Sequence, residues 1–306
     1  MKISYVFGFL ISVASLQAQA VTYSFTTIDA PAAVGTVAFG INVFSQVVGN
    51  FVDGIGKGHG FVYLGGTFSP LDAPGAALTT NAFGINAKGQ ISGNFVDSLG
   101  KGHGFVKNGG TFTTLDALGA TLTSADGINA AGQIVGYFVG STNIAHGFVY
   151  DNGTFTAFDA PSATNTFATG INANGQIAGH FTDNVSRHGF VDDGGRFTTF
   201  DAPGAAGGGT AAAGINDAGQ IVGNFYDSGG ISHGFVDNRG VFATLDAPGA
   251  TNTFAVGINA KGQIVGQFTD GSATHGFIAS PVPLPAAVWL LGTVIGGVGL
   301  VRRRRA

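Results

Sequence analysis

The sequence contains no cysteine and no glutamate, and it has one methionine and one tryptophan. Without cysteine, neither a disulfide framework nor a thiolate metal site can form. All 17 acidic residues are aspartate, which favours turns and caps, whereas glutamate favours helices. Glycine accounts for 53 of the 306 residues, and 44% of the chain is hydrophobic, including 27 phenylalanines. These proportions predict an all-β protein with many tight turns and a packed core.

Residues 1–20 have the layout of a secretory signal peptide. Lys2 precedes an apolar run that ends at Ala18-Gln19-Ala20, which matches an A-x-A cleavage site. The run is short for a membrane span. We therefore expect cleavage after Ala20 and export of the remaining chain, with a retained membrane anchor as the alternative.

Residues 281–306 form a second targeting segment. Residues 284–301 are 18 uncharged positions, about the minimum length that crosses a bilayer, so we predict a C-terminal transmembrane helix. Arginines that directly follow a span stay on the cytoplasmic side, which places the body of the protein outside the inner membrane. These arginines are Arg302, Arg303, Arg304 and Arg305.

This C-terminal segment resembles the PEP-CTERM sorting signals, most closely their VPLPA variant. The motif consists of Val282, Pro283, Leu284, Pro285 and Ala286, and the span and the arginine cluster follow it. The resemblance implies recognition by an exosortase, a membrane protease of Gram-negative bacteria that make extracellular polysaccharide. Leu284 stands where the family's name has glutamate. A plain tail anchor is the alternative.

The part of the chain between these two segments is acidic. Eight basic residues stand against 17 aspartates once Lys2 and the four terminal arginines are set aside, a net charge of about −9. Such a charge disfavours nucleic acid and anionic membrane surfaces as partners. It suits cations or basic proteins better.

Residues 21–280 consist of six repeats of about 43 residues. The glycine of a Gly-Ile-Asn motif recurs at positions 40, 84, 127, 170, 214 and 257. A period in the forties is the size of one β-propeller blade. Each repeat divides into four candidate strands, which in the second repeat are residues 81–86, 90–96, 103–107 and 111–117. Asparagine and glycine between them indicate turns.

The two ends of the repeat region predict how it closes. Residues 23–31 match the fourth strand of a repeat, and residues 275–280 match the third strand. If these two segments pair, the array becomes a ring without exposed edges. We therefore predict a six-bladed β-propeller of four-stranded blades with shared-strand closure, with an open β-solenoid as the alternative.

The repeat also resembles the HAF family of extracellular repeats. The shared features are Gly-Ile-Asn, Gly-Gln-Ile-Val-Gly and a histidine-phenylalanine corner, which in this chain is His-Gly-Phe. The resemblance implies an extracellular repeat protein and says nothing about catalysis.

Aspartates are concentrated in the longer connections, which we expect on one face of the ring, where binding usually occurs. Carboxylates are hard oxygen ligands, so the aspartates that follow the second strand are candidates for binding Ca²⁺; no other cofactor is predicted. Capping of the turns by the same side chains is the alternative. These aspartates are Asp53, Asp97, Asp183, Asp227 and Asp270.

A histidine begins the third strand of every repeat. Ligands one blade apart are too distant to share a metal ion, so we expect each histidine to pair with an aspartate of its own blade. The histidines are His59, His103, His146, His188, His233 and His275. The aspartates that close the fourth strand are Asp29, Asp72, Asp116, Asp159, Asp201 and Asp246.

Residues that break the repeat are the candidates for a ligand site. Asp126 lies in a predicted inner strand where the other repeats have Phe, Thr, Ala or Val. The fourth repeat adds His180, Arg187 and Arg196, which could bind a carbohydrate or an acidic ligand. Surface drift in a duplicated sequence is the alternative.

No catalytic or phosphate-binding motif is present, and six nearly equal repeats do not suit an active site. The sequence therefore predicts a non-enzymatic binding or structural module of the cell surface or biofilm matrix. Its expected partners are extracellular polysaccharide or matrix proteins. The alternatives are a propeller enzyme, a hydrolase or lyase acting on extracellular polymers, and a self-associating protein of the outer layer.

Overall fold

The structure, a computed structural model, describes residues 21–207 and 209–282. The predicted signal peptide, the residues of the sorting signal after Val282, and the predicted transmembrane helix lie outside the described residues. Within the described ranges, no helix is long and apolar enough to cross a membrane.

The described chain is all-β and contains 24 strands. In chain order they are β1 (Tyr23–Ile28), β2 (Gly35–Ile41), β3 (Val47–Val52), β4 (Gly58–Leu64), β5 (Thr67–Leu71), β6 (Thr79–Ile85), β7 (Ile91–Val96), β8 (Gly102–Asn108), β9 (Thr111–Leu115), β10 (Leu122–Ile128), β11 (Ile134–Val139), β12 (Ala145–Asp151), β13 (Thr154–Phe158), β14 (Asn165–Ile171), β15 (Ile177–Thr182), β16 (Arg187–Asp193), β17 (Arg196–Phe200), β18 (Thr210–Ile215), β19 (Gln220–Tyr226), β20 (Ser232–Asn238), β21 (Val241–Leu245), β22 (Asn252–Ile258), β23 (Ile264–Thr269) and β24 (Thr274–Pro281).

Antiparallel pairing groups the strands in fours, which we call units 1 to 6. Units 1 to 5 are β2–β5, β6–β9, β10–β13, β14–β17 and β18–β21. Unit 6 takes β22, β23 and β24 from the end of the chain and β1 from its start. Tyr23 pairs with Pro281 and Ile28 with Gly276. The first described strand therefore completes the last unit.

Glycine and phenylalanine together build the core between units. In unit 2, the fully buried ring of Phe105 lies against Gly93 of the neighbouring strand. A Cβ at Gly93 would overlap the Asn81 carbonyl oxygen and lie 2.6 Å from the ring. The last glycine of the Gly-Gln-Ile-Val-Gly motif, which in unit 2 reads Gly-Gln-Ile-Ser-Gly, thus packs against the phenylalanine of the His-Gly-Phe motif. The equivalent buried rings are Phe61, Phe148, Phe190, Phe235 and Phe277.

A ring of asparagine hydrogen bonds joins the inner ends of the units. The asparagine of each Gly-Ile-Asn motif is buried, and its Nδ2 donates to the backbone carbonyl of the equivalent asparagine in the next unit. The series runs Asn42, Asn86, Asn129, Asn172, Asn216 and Asn259. It returns from Asn259 to the Asn42 carbonyl over 2.9 Å. The units therefore form a closed circuit.

A β-bulge in the first strand of each unit turns one side chain toward the axis. In unit 3 the register shifts between Ala125 and Gly127, and in unit 1 between Ala38 and Gly40. The side chains so placed line a cavity of about 180 Å³. They are Phe39, Phe83, Asp126, Thr169, Ala213 and Val256.

The connections separate into two faces. The loop face carries the connections from strand two to strand three and from strand four to the next unit, such as residues 53–57 and 72–78. The turn face carries the short turns, such as residues 42–46 and 65–66. Both ends of the described chain lie at the turn face, where Val282 N donates to the Thr22 carbonyl over 2.9 Å.

The fourth strands are shorter than the sequence indicated. We expected one at residues 111–117, but β9 ends at Leu115, and β1 ends at Ile28 rather than at residue 31. The physical reason is that the chain leaves the ladder at the aspartate. The next backbone amide then binds a threonine: Ala117 N donates to Thr123 Oγ1 over 3.0 Å.

Candidate functional site

A histidine paired with an aspartate forms a corner at the loop face of every unit, and in five of the six units it lies between two carboxylates. In unit 2, His103 Nδ1 lies 2.9 Å from Asp116 and Nε2 lies 3.3 Å from Asp97. The imidazole stacks on Phe95, with 5.0 Å between ring centroids and 20° between planes. The pairs with the strand-four aspartate are His59–Asp72, His103–Asp116, His146–Asp159, His188–Asp201, His233–Asp246 and His275–Asp29.

The aspartate after strand two caps its own loop and also faces the histidine. Asp97 Oδ1 accepts hydrogen bonds from the backbone amides of Leu99 and Lys101, at 2.8 and 2.9 Å. The bond from Lys101 is the main reason that the pKa of Asp97 is lowered. In unit 3, Gly140 takes this position, so His146 has one carboxylate partner among the described residues.

These contacts also define where the predicted calcium ligands lie. Each of the five aspartates belongs to a different unit, and each uses one oxygen to cap its own loop. Residues 21–207 and 209–282 contain no group of three or more His, Cys, Asp or Glu that could hold a metal ion. Calcium binding at this face stays a prediction.

In units 1, 5 and 6 the corner raises the pKa of its histidine. The pKa of His233 is raised, mainly by the hydrogen bond to Asp246, and the pKa of His275 is raised mainly by Asp29. The pKa of His59 is raised in the same way by Asp72. In these three units the corner therefore favours the imidazolium form of the histidine.

Asp126 lies in the axial cavity, inside a small polar network. Ser124 Oγ donates to its carboxylate and accepts from Asn94 Nδ2 of the preceding unit over 3.4 Å. Burial raises the pKa of Asp126 to about 7. Burial, and then the charge of Asp126, raise the pKa of the adjacent Tyr137 to about 12. Asp126 is thus a carboxyl group that holds its proton close to neutral pH.

His180 and Arg187 lie together between units 4 and 5. The His180 ring stacks on Phe167 at 4.9 Å, and burial, followed by the charge of Arg187, lowers its pKa to about 4. The Arg187 guanidinium carbon lies 5.5 Å from the centroid of the Tyr226 ring. His180 Nδ1 and Arg187 Nε and Nη2 are buried without a hydrogen-bond partner among the described residues.

The other two predicted ligand residues, Arg196 and Asp126, lie elsewhere. Arg196 is exposed and pairs with Asp193 at the turn face. Arg187 begins the same hairpin at the loop face, about 20 Å away at 3.3 Å per residue. Asp126 is separated from His180 by the contacting rings of Tyr137 and Phe167. The four residues therefore occupy three separate places.

The sequence reasoning missed Tyr226. A signal was available, because this position ends the second strand and is Val or Thr in the other units. What the sequence did not show is that this side chain meets Arg187 of the preceding unit.

No protein-family model matches the chain, and no curated protein matches it either.

Several solved structures are similar. A protein of Agrobacterium tumefaciens described as TolB has 10% identity and a TM-score of 0.57, covering 87% of this chain and 100% of its own. A gluconolactonase of Xanthomonas campestris has 13% identity and a TM-score of 0.50, with coverage of 85% and 90%. A triple arginine-to-alanine mutant of AofleA from Arthrobotrys oligospora has 12% identity and a TM-score of 0.51, with coverage of 86% and 94%. At such identities the likeness defines the fold alone, a β-propeller.

Proposed function

We propose that the chain is a six-bladed propeller with shared-strand closure, exported and used as a non-enzymatic binding or structural module at the cell surface. The observation that carries the proposal is the loop face. Large apolar side chains are exposed there on short loops that aspartates hold in place, and Leu99 and Leu118 are 90% and 102% exposed. The full set is Val34, Ile55, Leu78, Leu99, Leu118, Ile144, Val185 and Ile231.

Eight large apolar side chains exposed on one face favour contact with a partner, because their exposure to water contributes nothing to the stability of the monomer. The partner we propose is extracellular polysaccharide or another matrix protein. The net charge of about −9 argues against nucleic acid.

The position of the chain ends supports the same face. Tyr23 and Pro281 pair at the turn face. If residues 284–301 span the inner membrane as predicted, the turn face lies toward the membrane and the loop face points away from it. The loop face is then the surface that meets extracellular material, both before and after processing by an exosortase.

The proposed binding role is tested by presenting the full chain, in detergent, to an array of neutral and acidic bacterial polysaccharides. We expect the double variant Leu99→Ser/Leu118→Ser to bind at least tenfold more weakly. The matched control is Phe44→Ser, which changes an exposed apolar residue on the turn face. Equal losses in both variants would refute the loop face as the binding surface. Failure to bind any glycan, with concentration-dependent oligomers in light scattering, would favour the self-assembly role instead.

A propeller hydrolase or lyase is the second candidate, and one observation favours it. Asp126 has a pKa of about 7 and lies in the axial cavity, as a general acid would. The other five side chains that line this cavity are uncharged, so no second charged group converges there. The test is turnover of acidic and neutral polysaccharides by the wild type and by Asp126→Asn. Activity that disappears in this variant would establish the enzyme and overturn our proposal.

We further propose that the C-terminal segment is an exosortase sorting signal. The support is the sequence of residues 282–286, the uncharged stretch after it, and Arg302 to Arg305. In a host with an exosortase, mass spectrometry of the wild type should show loss of the tail. Replacing Pro283-Leu284-Pro285 by three alanines should retain it, whereas a plain tail anchor would be retained in both.

A further inference from the structure

Neighbouring units meet along seams, where the first residue of a third strand faces the start of the next first strand. Three of the six seams are joined by a backbone bridge between these two residues. The bridged pairs are Gly58 with Thr79, Gly102 with Leu122, and Thr274 with Gly35. A small residue begins the third strand in each case, which lets the two backbones approach.

Two further seams are joined by an asparagine side chain. Between units 3 and 4, Ala145 N donates to Asn165 Oδ1 over 2.9 Å. Between units 5 and 6, Ser232 N donates to Asn252 Oδ1 over 2.9 Å. The seam between units 4 and 5 includes residue 208, which lies outside the described residues. It has Arg187 where the other units have Gly, Ala, Ser or Thr.

The connection between units 4 and 5 differs from the equivalent connections in length and in one backbone conformation. The bond from Ala202 N to Thr210 Oγ1 spans eight residues, whereas the equivalent bonds in the other units span six or seven. Gly209 has a φ of +66°, and a Cβ there would overlap the Arg187 carbonyl oxygen. The connection into unit 5 is therefore one or two residues longer than in the other units, and a glycine lies against the Arg187 backbone.

The seam presents a desolvated cation without a counter-ion. No carboxylate of the described residues pairs with the Arg187 guanidinium, although its Nε and Nη2 are buried. His180 Nδ1 is also buried and unpaired. Leaving such groups unsatisfied is costly, and an arginine fork bonds a planar carboxylate with two parallel hydrogen bonds. The neutral His180 ring can exchange a hydrogen bond with a hydroxyl.

We infer that the 4–5 seam binds one acidic sugar residue of an extracellular polysaccharide, with Arg187 holding the carboxylate and His180 a neighbouring hydroxyl. The ring of Tyr226, from unit 5, lies against the Arg187 guanidinium. This inference rests on the proposed binding function and assigns it a second contact, of defined chemistry, at the edge of the loop face.

The test is calorimetry of the full chain in detergent with trigalacturonate. We expect one site per chain and at least a tenfold loss of affinity in Arg187→Gly. This variant restores the residue type found at two other seams and is compatible with folding. Arg196→Gly is the matched control and should bind as the wild type does. The methyl-esterified trimer should bind at least tenfold more weakly, and free acetate should not compete at equal concentration.

Each other outcome is informative. If trigalacturonate does not bind, or if Arg187→Gly binds it as tightly as the wild type, the inference is wrong. Equal binding of the esterified trimer would also overturn it, because the carboxylate would then have no role. Retained array binding that depends on Leu99 and Leu118 would show that the proposed function survives this failure. Effective competition by acetate would reduce the seam to a general anion site.

Discussion

At the scale of single residues, the glycines of the repeat include positions where two elements approach too closely for a side chain. Gly93 faces both the Asn81 carbonyl and the Phe105 ring, whereas a methyl group added at Gly110 would meet no atom within 4 Å. The two glycines lie in the same unit and differ in their surroundings. They separate the effect of packing from that of composition.

We expect Gly93→Ala to destabilise the protein by about 3 kcal/mol, because the added methyl group overpacks the core and displaces a strand. Gly110→Ala should change stability by less than about 0.5 kcal/mol. Urea unfolding followed by circular dichroism measures both. If the two variants unfold at the same urea concentration, the close approach of Gly93 to Phe105 does not determine the stability of the protein.

Asp126 gives a second prediction at this scale. Its folded pKa of about 7 lies above the unfolded value, so its contribution to stability is complete below pH 4 and is lost as the pH rises through 7. We expect Asp126→Asn to be more stable than the wild type at pH 8, by on the order of 4 kcal/mol. At pH 4 the two should be nearly equal. Asp151→Asn, at an exposed position, should show no such crossover.

At the scale of elements, each histidine corner joins three strands of one unit. The partner at strand four was predictable, because the thirteen-residue spacing recurs in units 1 to 5 and the first strand of the chain supplies the aspartate of unit 6. The stacking phenylalanine and the second aspartate were not, because they depend on which residues share a face after strands two and three pair. The 4–5 seam was hidden for a related reason: Arg187 and Tyr226 meet across two units, and repeat alignment compares positions without showing contacts.

The corner also predicts a pH dependence. The raised pKa of His233 means that its ionic contribution is complete below pH 6.5 and is lost as the pH rises through the folded value. We expect His233→Ala to lower the melting temperature more at pH 6 than at pH 9, with a difference of roughly 2 °C. Differential scanning calorimetry measures it. In an Asp246→Asn background the difference should shrink, and a difference that persists there would assign the effect to another group.

At the scale of the whole molecule, two separate sets of contacts close the ring of units. The asparagine bonds run around the inner ends of the units, and β1 completes unit 6. The repeat period and the unmatched strands at the two ends made the pairing of β1 with β24 predictable. The asparagine circuit was not foreseen, because the Gly-Ile-Asn asparagine was interpreted as a turn residue alone.

Removing residues 21–30 should therefore lower the melting temperature by roughly 10 °C, because β24 loses a ladder of six pairs and His275 loses Asp29. A synthetic peptide of residues 21–31, added in trans, should restore most of the loss. The same peptide with Asp29→Asn should restore less. Full stability of the shortened chain without peptide would show that β1 does not secure the ring.

The pairing of β1 with β24 also sets the timing of folding. Strand β1 is the first of the 24 described strands to be made, yet its partners at 276–281 are made about 250 residues later. Until then β1 has no partner strand. The last completed strand of the sheet also has an unpaired hydrogen-bonding edge, which could pair with a strand of another molecule. The chain is therefore most vulnerable to misassembly until residues 276–281 are available, and a chaperone that shields a single strand would have its greatest effect during that interval.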